Sequence, residues 1–484
     1  MPGTRTDWDA IVIGGGPAGS TTARYIAEGG ADVLVIDGRD PIGPPLQCGE
    51  LVPTNNEMRR LCPDVPDMDD LLQTPEAAIS KRIWEMHLVP PSGKPLRYDF
   101  EGLVLNRVTH DEALVELAQS TGAEYLVNSR VDRVNGETVY LRDGSEYTAR
   151  VIIGAAGHND PIRKSQWKEE SLDIPVKFVL MSGEFTDAVE LHFGSVAPGG
   201  YAWMFPKNGG ANIGLGIQRS LSKGRSLNDY AEDFISRYRG QITYNGAGSL
   251  PMSGSIRPLV KGKHLLVGDA AGMVLPSNGA GITIAMIGGR IAGQVVAEHL
   301  QNGTPLSEYE VRWDDQMGKV MRNSKRAFRF GSLLFRSPDW LLNLAFNRLT
   351  KPFIWRAVTC RPLLGLGRSA LPDGGHAGEH DFGSDIGESD ILQHSHIITC
   401  GAETRVGPRQ PPPRVVTLTV DESGVGTDPD PHPEPTEHSV EPVDLGRVDD
   451  YDNPTRFEDS ERFGQAGTLV VPVSKREQGA DRIE

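Results

Sequence analysis

Two short, unbroken apolar runs stand near the start of the chain, Asp9–Ile13 and Asp32–Ile36 (DVLVI). Continuous rather than alternating apolar residues predict strands buried on both faces, as in a parallel sheet. Between them lie the turn Gly14-Gly15-Gly16-Pro17-Ala18-Gly19 and the small-residue segment Ser20–Gly29, which predicts a helix. Strand, glycine turn, helix and strand fit within about 30 residues, the length of a right-handed βαβ unit.

Further on, Ala113, Leu114, Leu117 and Ala118 form a helical stripe, and Thr109-x-x-Glu112 predicts a capping box at its start. Tyr125–Val127, Val131–Val134, Thr138–Leu141 and Val151–Ile153 predict strands. From about 160 to 255 the pattern changes to short alternating stretches (Val176–Leu180, Tyr201–Phe205, Asn212–Gly216) broken by Gly and Pro, the pattern of an antiparallel sheet. His264–Val267 predicts a return to the first fold, and Ile282–Leu300 a long helix. The expected class is α/β: a Rossmann-like domain with an inserted antiparallel-sheet domain, C-terminal helices and an acidic tail. The expected boundaries are 1–160 and 256–320 for the two parts of the nucleotide domain, 161–255 for the inserted sheet, 321–372 for a basic helical region and 373–484 for the tail.

Charge sharpens the last two boundaries. From Asp373 onward there are 24 acidic and 9 basic residues, so the tail accounts for nearly all of the net charge of −16. The tail is rich in Gly and Pro and predicts disorder, although Val415–Val420 and Thr468–Val473 could be strands. Residues 322–368 hold ten Lys and Arg against one acid, Asp339, interleaved with Leu333-Leu334-Phe335, Trp340-Leu341-Leu342 and Phe353-Ile354-Trp355. That mixture suits either an anionic membrane surface or an amphipathic bundle on the sheet. No run is long enough to span a bilayer and no signal pattern opens the chain, so the expected location is the cytoplasm, peripheral on the inner face of the cell membrane if that surface is used. Cys48, Cys62, Cys360 and Cys400 are too scattered to predict a zinc site or a disulfide framework. No metal and no nucleic-acid partner is expected.

The chemistry begins at Gly14-x-Gly16-x-x-Gly19. The first glycine permits the tight turn, the second lets backbone approach a pyrophosphate, and the third lets helix pack on strand. Ala18 lies in the same turn, and Asp37 ends the second strand, placed for ribose hydroxyls. A second element is Gly268-Asp269-Ala270-Ala271-Gly272, followed by Gly279-Ala280-Gly281-Ile282. An acid at a strand end can bind ribityl hydroxyls, and the helix start after Gly281 can face the polar edge of a flavin. The pairing of the two elements points to FAD rather than NAD.

The GGGPAGS loop, the GDAAG segment and Arg107 together resemble the flavoproteins typified by p-hydroxybenzoate hydroxylase. Gln47-Cys48-Gly49-Glu50 and Pro198-x-x-Tyr201-x-Trp203-x-Phe205-Pro206-Lys207 are more specific, and resemble the signatures of archaeal geranylgeranyl reductases. The resemblance covers about residues 8–330. It implies reduction of isolated double bonds in geranylgeranyl chains, typically on archaeal ether lipids, with hydride from reduced FAD and a proton to the other carbon. Carried over by position, it implies FAD contacts at Gly19, Asp37, Gly38, Cys48, Gly49, Arg107, Val131, Asp269, Gly281 and Ile282. The sequence departs from the family's G-G-G-I at Asn278-Gly-Ala280-Gly-Ile282, and its acidic tail has no counterpart there.

Tyr201, Trp203 and Phe205 alternate along a strand and so share a face, which suits either a tunnel wall for a polyprenyl chain or an ordinary hydrophobic core. Cys48 is placed either to donate a proton beside the flavin or to pack against its ring. The electron donor, ferredoxin or NADPH, has left no second nucleotide motif, since Asn208-Gly209-Gly210 reads as a turn. Competing functions are an aromatic monooxygenase or halogenase of the same fold, a geranylgeranyl diphosphate or chlorophyll-type reductase, and a non-catalytic flavin-binding protein.

Overall fold

The computed structural model describes residues 6–46, 48–167 and 173–362. The tail from 373, its two short apolar runs and Gln47 lie outside the described residues. The described residues belong to one compact unit, Met1–His376.

The first sheet has a parallel core in the order His264–Leu266, Glu146–Gly154, Asp7–Ile13, Val33–Ile36, Glu124–Leu126. Val33–Ile36 is buried at every position, as its unbroken apolar run requires. A hairpin of Val131–Asn135 and Thr138–Leu141 extends the sheet from Glu146–Gly154. The helices Pro17–Glu28 and Ile282–Asn302 pack side by side and run in the same direction. Their approach is set by absent side chains: a Cβ on Gly289 would lie 2.6 Å from the Ala18 carbonyl oxygen, and one on Gly293 2.6 Å from that of Thr22. Both N-termini therefore point toward the same end of the sheet.

The second sheet is larger than 161–255 and not purely antiparallel. Its order is Gln241–Pro251, Asp173–Ser182, Gly210–Gly216, Tyr201–Lys207, Val189–His192, Ile79–Val89, Leu96–Leu105, Leu51–Pro53. Three of its strands thus come from within 1–160, which corrects the boundary expected for the first part of the nucleotide domain. Val189–His192 pairs with Ile79–Val89 in parallel. Residues such as Lys81, Arg82 and Glu85 obscure the apolar alternation of Ile79–Val89, and its partner strand follows about a hundred residues later.

Phe178, Trp203 and Phe205 lie in one core cluster of this sheet. The helix Leu227–Ile235 covers another, which includes Ile213 and Leu215, and this helix opens with a Ser226/Asp229 capping box. The capping box expected at Thr109 is absent. That helix begins two residues earlier, at Arg107 after Asn106, and the Arg107 amide points to the Glu50 carboxylate at 3.4 Å. An acid from a distant loop stands where a local cap was expected.

After the helix Glu308–Phe335, two short helices, Asp339–Ala345 and Lys351–Val358, fold back on the second sheet. Trp355 stacks on Tyr98 at 4.5 Å and Phe335 on Phe193 at 5.8 Å. Among the described residues no helix is long and apolar enough to cross a membrane.

Candidate active site

The glycine loop is held by backbone against backbone. Gly14 has φ +101°, and a Cβ there would lie 2.6 Å from the Ala155 carbonyl oxygen. A Cβ on Gly19 would overlap the Gly14 carbonyl oxygen. At Gly16 the reverse holds, because a Cβ would meet no atom within 4 Å. Gly16 also caps the helix Pro17–Glu28 with no side-chain acceptor for its first-turn amides. Open space beside unpartnered helix amides suits an anionic pyrophosphate. Ala18 packs under this turn, where a Cβ on Gly268 would approach it to 2.6 Å.

At the end of the second strand, Asp37 accepts from the Gly15 amide at 2.7 Å, and Arg39 pairs with it at 2.7 Å. Burial works to raise its pKa, but Arg39 and the backbone donors outweigh burial and hold it below the usual carboxylate range. The Ser129 amide donates to the Asp37 carbonyl at 2.9 Å, and a Cβ on Gly38 would lie 2.6 Å from Arg130 Cγ. Asp37, Gly38 and Val131 therefore lie together at one end of the site.

At the other end is Asp269, half-buried in the turn Gly268–Ala271. Burial pushes its pKa up to about 6, against the pull of Arg107 and Arg163. Its Oδ1 would be 3.6 Å from a Cβ on Gly281. Gly281 caps the helix Ile282–Asn302, again with no side-chain acceptor. Thus two uncapped helix ends, an open space at Gly16 and Asp269 line one cradle. Its chemistry fits an anionic dinucleotide with a polyhydroxyl linker.

Cys48 lies beside this cradle. Its sulfur accepts from the Glu50 amide at 3.1 Å and from Arg107 Nη1 at 3.0 Å. Burial raises its pKa and the Arg107 charge offsets only part of the rise. Arg107 is itself held by Asp111, through Nε at 3.1 Å and Nη2 at 2.8 Å. Despite burial, Arg107 and His110 hold the Asp111 carboxyl at about 2.

Glu50 is 2% exposed and has φ +68°. Its Oε2 accepts from Lys207 Nζ at 2.7 Å and from Asn212 Nδ2 at 3.1 Å. Asn212 also donates to the Cys48 carbonyl at 3.0 Å and accepts from Trp203 Nε1 at 2.9 Å. This buried network joins the Cys48-Gly49-Glu50 loop to the strand Tyr201–Lys207. In the sequence, Glu50 and Lys207 stand within the two specific motifs and Asn212 opens an alternating stretch, but none of the three carries a local signal of this role.

An apolar pocket runs along the second sheet to this point. Tyr201 and Trp203 line it with Phe193, Leu250, Phe328 and Phe335. Phe205 does not. It packs beneath Gly49, where a Cβ would lie 2.6 Å from its ring. The expected three-residue wall is therefore two residues long, because the Cys48 loop closes the pocket over the third. Tyr201 also donates to the Asn278 carbonyl at 2.6 Å, linking the pocket to the turn before Gly281.

Sequence reasoning missed one further segment, Gly154-Ala155-Ala156-Gly157 with Asp160. Asp160 accepts from the amides of Ala156, Ile162 and Arg163 at 2.9–3.0 Å and so fixes the loop that backs Gly14. Burial pushes its carboxyl up to about 6, against those three amides. Asp160-Pro161, an N-cap followed by proline, was the available signal. Among the described residues no group of His, Cys, Asp and Glu could hold a metal ion.

A family model described as the geranylgeranyl reductase catalytic domain matches residues 173–247, and one for an NAD(P)-binding Rossmann-like domain matches residues 12–55. The digeranylgeranylglycerophospholipid reductase 3 of Methanosphaera stadtmanae is 30% identical over 381 residues, covering 71% of this chain and 92% of that one. The chain belongs to the geranylgeranyl reductase family. The digeranylgeranylglycerophospholipid reductase of Methanosarcina mazei is 33% identical over 346 residues, covering 64% and 81% of the two chains. Among solved structures, a geranylgeranyl bacteriochlorophyll reductase-like protein from Thermoplasma acidophilum is 27% identical with a TM-score of 0.64, covering 72% of this chain and 92% of that one. The flavin-dependent brominase Bmp2, 17% identical with a TM-score of 0.55 over 73% of this chain and 94% of its own, shares the fold. As a geranylgeranyl reductase family member, the chain is a flavin-dependent oxidoreductase acting with a polyprenyl substrate and an electron donor.

Proposed function

We propose that this protein is an FAD-dependent reductase that saturates double bonds in the geranylgeranyl chains of archaeal-type ether lipids, as a peripheral enzyme on the inner face of the cell membrane. The observation that carries the reading is the apolar pocket, two of whose lining side chains reach the cradle: Trp203 lies against Gly49 of the Cys48 loop, and Tyr201 is hydrogen-bonded to the turn before Gly281. Gly14, Gly16, Ala18 and Gly19 would hold the pyrophosphate region of FAD. Asp37, Gly38 and Val131 would hold its adenosine, and Asp269, Gly281 and Ile282 its ribityl and flavin portions. Cys48, Gly49 and Arg107 would border the ring. Bound there, the flavin supplies a hydride equivalent. Electrons reach it from ferredoxin or NADPH docking transiently.

The chain's own residues provide orientation and a proton. Tyr201 and Trp203 hold the prenyl chain in the pocket, and the network of Glu50, Lys207 and Asn212 fixes the Cys48 loop against that wall. Saturating one double bond requires a proton as well as a hydride. Cys48 is placed to give that proton: burial keeps its thiol neutral, and the Glu50 amide and Arg107 would receive the thiolate. Asp111 keeps the Arg107 guanidinium aimed at the sulfur. A Cys48→Ala variant is expected to bind flavin normally but turn over about a hundredfold to ten-thousandfold more slowly. Unchanged turnover with pre-reduced flavin would rule out the proton-donor role.

The position of Asp269 predicts a pH dependence of flavin binding. Ribityl hydroxyls donating to this carboxylate favour its ionised form, so binding lowers its pKa from about 6. Below about pH 6 flavin uptake must then release a proton, and affinity falls as pH falls, by about tenfold per unit at most. Flavin fluorescence titrations are expected to show this slope in the wild type and lose it in Asp269→Asn. The reaction itself is tested without oxygen: reduced protein should be reoxidised by an unsaturated ether lipid. Turnover only in oxygen, with hydroxylated product, would favour a monooxygenase.

A further inference from the structure

From the last turns of the helix Glu308–Phe335 through Lys351–Val358, the protein is apolar on two opposite sides. The inner side is accounted for. Leu342 is fully buried, and Phe335 and Trp355 stack on Phe193 and Tyr98. The outer side is equally bulky yet faces solvent: Phe330, Leu333, Trp340, Leu344, Leu349 and Phe353 are 52–85% exposed. Among the described residues only one other large apolar side chain, Trp84, is this exposed. Phe330 and Leu333 are three apart on one helix, and Trp340 and Leu344 four apart on the next, so each pair forms an outward stripe. A helix apolar all round is expected to have both sides covered.

Charge specifies the cover. Arg326, Arg329, Arg336 and Arg348 are exposed on this segment. Among the described residues none of the four has a carboxylate within 4.0 Å, whereas Arg24, Arg107 and Arg312 elsewhere are paired. The one acid, Asp339, turns inward and accepts from the Ser195 amide at 2.9 Å and hydroxyl at 2.6 Å. Bulky apolar side chains among unpaired arginines, with the only acid withdrawn, match an apolar layer under an anionic surface. The same helix carries Phe328 and Phe335 into the pocket wall. The outward stripe and the substrate pocket are thus only a turn or two of helix apart.

We propose that this outer face, from Phe330 to Phe353, docks the protein on an anionic lipid bilayer and sets the pocket's wall helix against the membrane. The proposal deepens the lipid-reductase reading and rests on it for the direction of substrate entry. The test uses the full chain with vesicles of phosphatidylcholine, with and without phosphatidylglycerol. The protein is expected to sediment with the anionic vesicles and to be released by high salt. Trp340→Ser/Leu344→Ser and Arg329→Glu/Arg336→Glu should each weaken sedimentation by about tenfold or more. Both double variants should keep flavin content and turnover on detergent-dispersed lipid.

Three results would overturn the docking face: no vesicle binding by the wild type, equal binding by the variants, or a wild-type dimer that the Trp340→Ser/Leu344→Ser variant dissociates. Sedimentation and detergent turnover are read separately. Vesicle binding without turnover on any prenyl lipid counts against the reductase reading alone.

Discussion

Gly16→Ala and Gly19→Ala, three residues apart, are expected to lose flavin in different ways. At Gly19 a Cβ runs into the Gly14 carbonyl, and Gly14 cannot retreat because Ala155 backs it at 2.6 Å from its own would-be Cβ. Two backbones would have to separate, at a cost of several kcal/mol, about that of gross overpacking. Gly19→Ala should therefore purify without flavin and unfold at lower denaturant. At Gly16 φ is −71° and a Cβ meets nothing, so Gly16→Ala should fold as the wild type does. Its methyl group would instead occupy the space proposed for the pyrophosphate, weakening flavin binding by about tenfold or more. Absorbance at the flavin band, paired with denaturant titration, separates the two. A Gly16→Ala protein with full flavin content would show that the open space is not the phosphate site.

The second large effect belongs to the Glu50–Lys207 pair. Their side chains are 1% and 16% exposed, and 157 residues separate them in sequence. Lys207→Met would leave a buried carboxylate with Asn212 as its remaining side-chain donor. Breaking such a pair from one side costs about 3–5 kcal/mol. Replacing both partners, as in Glu50→Gln/Lys207→Met, is expected to recover most of that stability. Activity should not recover, because Glu50 also holds Asn212 and, through it, the Cys48 carbonyl. Denaturant unfolding and turnover measured on Lys207→Met, Glu50→Gln and the double variant check both halves. An additive cycle would mean that the pair contributes nothing jointly.

The reach of sequence reasoning follows the distance over which each feature is determined. Asp9–Ile13, the glycine turn and Asp32–Ile36 were legible because a parallel strand buried on both faces must be apolar throughout. Their partners also lie within one βαβ unit. Ile79–Val89 was not legible, because two register shifts and the charges Lys81, Arg82 and Glu85 break its alternation. Leu96–Leu105 does alternate, with Tyr98 and Phe100 buried between Arg97, Asp99 and Glu101, but its place in the second sheet was hidden because that sheet is completed only by strands from beyond residue 173. The helix at Arg107 began early because a residue from another loop approaches its end.

The candidate site divides in the same way. Gly14, Gly16, Gly19 and Asp269 announce themselves by local spacing. The part of Asn212, and the loss of Phe205 from the pocket wall, depend on one loop meeting two neighbouring strands about 160 residues away. No local pattern encodes that contact. Phe328 and Phe335, which complete the pocket, lie more than 120 residues beyond Tyr201 and Trp203 in sequence.

The central claim is that reduced flavin and Cys48 together saturate a prenyl double bond in this pocket. The most direct measurement is the mass of the lipid after anaerobic incubation of the reduced full-length protein with digeranylgeranyl ether lipid. The account predicts a gain of two hydrogens for every double bond reduced, matched by two electrons taken from the donor. An unchanged lipid mass, while the flavin remains bound and reducible, would contradict it.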